Sequence, residues 1–172
     1  MANDISMKPN PRQVADLHQQ HHAGSCATSL AELLLKLEGE NPPDLQQHEP
    51  GGQSTGLTHL KDKTYGQVTF RQFSRNEPLS DLVERELAAG RAVGVFFENK
   101  HFDPTMKGIH GWAAVEVCDV GGAKHVRLLA KQSELGKGEG KVTLDLTIRL
   151  TDLNIGPVTD AVTYLTTPSP LA

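Results

Sequence analysis

Leu30, Leu33, Leu34 and Leu37 recur at the i, i+3, i+4, i+7 spacing of a helix that buries one stripe. Ser25 suits an N-cap, and Gly39 followed by Pro42 and Pro43 suits a stop, so the spacing predicts a helix with Cys26 in its first turn. Leu79, Leu82, Val83 and Leu87 repeat the pattern between Pro78 and Gly90 and predict a second helix over about 79–89. Period-two or continuous apolar runs then predict strands over about 65–73, 92–97, 110–118, 125–130, 141–149 and 161–166. The Asp119–Lys124 segment, with Gly121 and Gly122 at its centre, is the turn of a hairpin. Two helices segregated from antiparallel strands make the fold class α+β.

Between these elements the text turns polar. Residues 1–13, with Pro9 and Pro11, are expected as a loose arm, and 14–19 as a short turn. Residues 39–63 are rich in Pro, Gly and Gln and predict a long surface excursion; 98–109 form a polar loop. The length, 172 residues, suits a single domain over 1–172 with a core of Leu, Val, Ala and Ile, since aromatics are only 5%. A net charge of −4 gives no electrostatic reason to expect nucleic acid or an anionic membrane as partner. No apolar run approaches the roughly 20 residues that span a bilayer. The N-terminus lacks the apolar stretch of a secretory signal, and two distant cysteines make no disulfide framework. The expected location is cytoplasmic, or secreted without a cleaved signal peptide.

Cys26 is the first candidate for chemistry. At a helix mouth the unpaired N–H groups and the dipole favour the thiolate, which is the reactive form. The hairpin supplies a base. With its turn on Gly121 and Gly122, facing residues have numbers that sum to about 243, so His110 falls opposite Gln132 or Ser133. An imidazole oriented by a side-chain amide is the support that a cysteine nucleophile needs, with Asp119 and Ser133 as competitors of Gln132 for the orienting role. Gln20, six residues before Cys26, could donate to an oxyanion beside the helix mouth, together with the Cys26 N–H. Cys118, in mid-strand among Ala and Val, is expected in the core. His18, His21, His22 and Cys26 match no common zinc spacing, so neither a metal nor an organic cofactor is expected.

Gln20-x5-Cys26 with Gly24-Ser25-Cys26, His110 before an apolar strand, and Ala130-Lys131-Gln132-Ser133-x2-Gly136 together resemble the papain-like cysteine peptidases. Cys26-Ala-Thr-Ser-Leu-Ala and the segment from Ser80 to Val95 are similar to the compact bacteriocin-processing branch. The likeness spans about residues 20–150. It implies a papain-like fold and a thiol hydrolase that cleaves an amide bond of a protein or peptide substrate, in a chain that suits a delivered bacterial effector or toxin. Cys26 would attack, His110 would serve as base and then acid, Gln132 would orient it, and Gln20 would hold the oxyanion. His110 follows Cys26 by 84 positions (110 − 26), closer than the roughly 130–150 of papain itself, and Ala27 stands where papain has tryptophan. A Cys-His-Gln set is similar instead to effectors of the cycle-inhibiting-factor type, which implies a glutamine deamidase. A non-catalytic binding module that keeps the fold is the reading from another class. Neither the substrate nor the oligomeric state is written in the sequence.

Overall fold

A computed structural model of the chain describes residues 5–6, 11–12, 14, 26–40, 62–66, 68–72, 77–102, 104–105, 109–133, 140–155 and 163–166. At 5–6, 26–29, 72, 99, 109, 131–133, 140–142 and 163–166 the description is of the backbone. The architecture is mixed helix and antiparallel sheet, as the periodicities predict.

Helix α1 runs Cys26–Leu37 and helix α2 runs Leu79–Ala88. Both end as their glycines foretell. Gly39 sits at φ +84°, its N–H bonded to Lys36 O (3.0 Å) and the Glu40 N–H to Leu35 O (2.9 Å). Gly90 sits at φ +83°, with N–H to Leu87 O (2.9 Å) and Arg91 N–H to Glu86 O (2.8 Å). These are paired Schellman bonds, which satisfy the last carbonyls only when the residue past the cap adopts the left-handed region. At its other end α2 is held from 74 residues away: Asn154 Oδ1 accepts the Ser80 N–H (3.1 Å) and its Nδ2 donates to Ser80 Oγ (3.0 Å). Asn154 closes a 3₁₀ turn, Leu150–Asn154, whose Leu150 and Leu153 are buried in the core.

Among the described residues eight strands form one sheet: β1 (Ile5–Ser6), β2 (Thr64–Tyr65), β3 (Val68–Gln72), β4 (Val93–Glu98), β5 (Ile109–Val120), β6 (Ala123–Ser133), β7 (Gly140–Arg149) and β8 (Thr163–Thr166). Their order is β2-β3-β8-β4-β5-β6-β7, with β1 also on β5, and the pairs are antiparallel. Gly121 and Gly122 both have positive φ (61° and 86°), the requirement of the tight two-residue turn that matches strand twist. The expected strand over 65–73 is instead a small hairpin, β2–β3.

Four expectations are corrected. Part of the N-terminal arm is tied down: Ile5 pairs with Val117, Ser6 with Glu116, and Arg12 Nη1 meets Asp145 Oδ2 at 3.0 Å. Helix α1 is not buried along one stripe but enclosed, since Leu30, Ala31, Glu32, Leu33, Leu34, Leu35 and Leu37 are all buried. The hairpin register shifts between Ala114 and Glu116: facing numbers sum to 243 near the turn (Val117↔Val126) and to 242 beyond the bulge (Ala113↔Leu129). Cys118 alternates with the buried Val117 and is half-buried rather than in the core. The 41–61 stretch of the expected excursion lies outside the described residues.

Candidate functional site

Helix α1 begins at Cys26, which places that residue at the N–H donor end of the helix. One turn further on, Leu30 packs against β5 at Gly111. A Cβ built on Gly111 would lie 2.8 Å from Leu30 Cδ2, 3.4 Å from Leu30 Cβ and 3.0 Å from Phe96 Cε1. Helix and strand therefore approach more closely than any side chain at position 111 would allow. Four residues of helix rise about 6 Å, so Cys26 stands one turn along α1 from the residue that touches Gly111.

His110 is half-buried near the start of β5, paired across the ladder with Phe97 of β4. Its ring lies edge-on to Trp112 (centroids 5.6 Å apart, 80°). Trp112 meets Phe102 at 5.5 Å, and Phe102 meets Phe97 and His101, each at 5.0 Å. The Trp112 Nε1 is buried with no hydrogen-bond partner among the described residues. Strand alternation fixes the direction of this cluster. Gly111 faces Leu30, so His110 and Trp112 project to the other face of the sheet, beside Phe97 and Val95.

The β5–β6 ladder pairs end at Ala113↔Leu129; carried on at the sum of 242, they would put His110 level with Gln132, three positions further. On its other side Gln132 pairs with Val142 of β7. Asp119 cannot orient His110: it sits at the turn, its Oδ1 accepting the Gly122 N–H (2.9 Å), and nine strand residues span about 30 Å. Gln20, His18, His21 and His22 lie outside the described residues, as do the side chains of Cys26 and Gln132. The structure places Leu30 of α1 against Gly111 of β5, with His110 on the opposite face of the strand.

Sequence reasoning missed the aromatic surround of His110. Phe97 and Trp112 were readable from parity with His110, but His101 and Phe102 come from the loop after β4, where no period applies. Among the described residues no group of three His, Cys, Asp or Glu could hold a metal ion. No helix among them is long and apolar enough to cross a membrane. Comparison of the chain with protein-family models, with curated proteins and with solved structures finds no match.

Proposed function

We propose that the chain is a papain-like thiol hydrolase acting on an amide bond of a protein or peptide. Cys26 is the nucleophile, His110 the base and then the acid, Gln132 the group that orients His110, and Gln20 with the Cys26 N–H the oxyanion donors. The observation that supports this reading is the contact of Leu30, one turn after Cys26 on α1, with Gly111, the residue after His110 on β5. For the proton transfer, the His110 imidazole has to meet the Cys26 thiol around the Ile109 end of β5. Attack by the sulfur on the carbonyl then gives a tetrahedral oxyanion, which collapses as His110 protonates the leaving amine. The same residues acting on a glutamine side chain would release ammonia, the deamidase version of this chemistry.

One observation favours a second reading, a non-catalytic binding module. His110 shares a face with Trp112 and Phe97 rather than with the side of Gly111 that meets Leu30. Iodoacetamide separates the two. A thiol hydrolase alkylates at Cys26 faster than a simple thiol, and His110→Ala removes the excess, a loss on the order of a hundredfold. A binding module alkylates at the rate of the urea-unfolded chain, with or without His110.

A further inference from the structure

The second cysteine also has an imidazole beside it. Cys118 pairs directly with His125 across the β5–β6 ladder, and His125 pairs with Arg149 across β6–β7. Directly paired residues share a face, with Cβ atoms roughly 4.5–5.5 Å apart. A thiol, an imidazole and a guanidinium thus stand in one row over three adjacent strands. The row is on the side away from α2, whose Glu84 reaches Lys124 on the opposite face (2.8 Å). Cys118 and His125 are half-buried and Arg149 is exposed, so the row is open to small molecules.

Two details give the row a chemical direction. His125 Nδ1 lies 2.9 Å from Ala123 O. A carbonyl only accepts, so Nδ1 carries the proton, and in the neutral ring Nε2 keeps its lone pair. The imidazole is thereby fixed as an acceptor in the row that holds Cys118. The neighbouring row differs: Arg127 is already held by Asp145 (2.9 and 2.6 Å) and by Glu116 (3.5 Å). Arg149 makes no ion pair among the described residues, which leaves its guanidinium for an outside carboxylate.

We propose that Cys118 is a thiol-exchange site for anionic low-molecular-weight disulfides of the glutathione class. His125 Nε2 takes the Cys118 proton and the sulfur attacks one sulfur of the disulfide. The Cys118–S bond to that sulfur forms as the original S–S bond breaks. The departing thiolate carries away the electron pair and recovers the proton from His125. The protein thiol is oxidised to a mixed disulfide and half of the small disulfide is reduced. Arg149 receives the carboxylate of the incoming molecule. The site is independent of the Cys26 chemistry.

The test uses the full chain with Cys26→Ala, in which Cys118 is the sole thiol of a two-cysteine sequence. Glutathione disulfide should form the Cys118 adduct in the native protein about tenfold faster than in the same chain unfolded in urea. His125→Gln should remove that excess. Arg149→Gln should slow glutathione disulfide but not the uncharged hydroxyethyl disulfide. A native rate no higher than the unfolded one overturns the proposal whatever the variants do. An unchanged rate in a folded His125→Gln chain, checked by its melting curve, overturns the role of the imidazole. Equal slowing of both disulfides by Arg149→Gln overturns the choice of an anionic partner.

Discussion

Leu30 and Gly111 touch so closely that the helix carrying Cys26 rests on bare backbone beside His110. The glycine is needed for space and not for its dihedral freedom. Gly111→Ala should cost about 1–3 kcal/mol as Leu30 and Phe96 are pushed from their positions. Gly111→Val should cost more. Denaturant melts measure the loss, and the proposed hydrolase predicts that Cys26 alkylation slows in parallel, because the helix mouth moves away from β5. Full stability in Gly111→Val would contradict the contact.

Gln132 is the third member of the proposed site. If it orients His110, Gln132→Ala should lower the Cys26 alkylation rate by about tenfold or more, and less than His110→Ala does. Gln132→Asn should recover part of the rate, because an amide remains. Ser133→Ala should leave the rate unchanged, since the proposal gives the orienting role to Gln132.

Glu38 makes stability depend on pH. Burial lifts its carboxyl from the ordinary 4.5 to about 6, with Glu86 and Glu40 adding to the rise. The Ala92 N–H, which donates to Glu38 Oε1 at 3.2 Å, and then Arg91 oppose it. The folded chain therefore binds this proton more tightly than the unfolded chain. Glu38 destabilises the fold fully above about pH 6 and ceases to do so below about 4.5. Glu38→Gln keeps an acceptor for Ala92 and should stabilise the protein at neutral pH by up to about 1 kcal/mol once solvent screening is allowed for. The gain should vanish near pH 4. A melting series across that range decides.

Asp145 works in the opposite sense. The forked hydrogen bonds from Arg127, and then Arg12, hold its carboxyl below the ordinary 3.8. Its contribution is present above that value and lost as acid reaches the lowered one. Asp145→Asn should therefore loosen the Arg12 tie, and amide exchange at Ile5 and Ser6 should quicken by about tenfold. Unchanged exchange would mean that β1 holds without it.

The strands and helix ends were legible because each had a period and a punctuation mark: Gly39, Gly90, and the Gly121–Gly122 pair. The bulge was not. Gly111, Trp112, Ala113, Ala114 and Val115 are all buried, so no polar residue marks which face each takes, and the extra residue leaves no trace in the text. That is why Cys118 was expected in the core and why the partner of His110 was open by one position. The enclosure of α1 was hidden for a related reason. Glu32 looks like a solvent-side residue two places after Leu30, yet it is buried. Ile5–Ser6 is too short a strand to show alternation. Within the candidate site, hairpin arithmetic offered Gln132 or Ser133 opposite His110, while the loop that brings Phe102 to Trp112 has no rule that sequence reveals.

The place of β8 has a consequence for how the chain is made. Thr163–Thr166 pairs with β3 on one side and β4 on the other, at Thr69↔Thr166 and Val93↔Tyr164. Synthesis delivers segments in order from the N-terminus, so β2–β3 and the β4–β7 meander leave the ribosome before the strand that links them. Until Thr163–Thr166 arrives, β3 and β4 each present an unsatisfied edge, and joining them requires closing contacts across about seventy residues to β4 and more than ninety to β3, the slow kind of pairing. The nascent protein must therefore protect two sticky edges for most of its assembly.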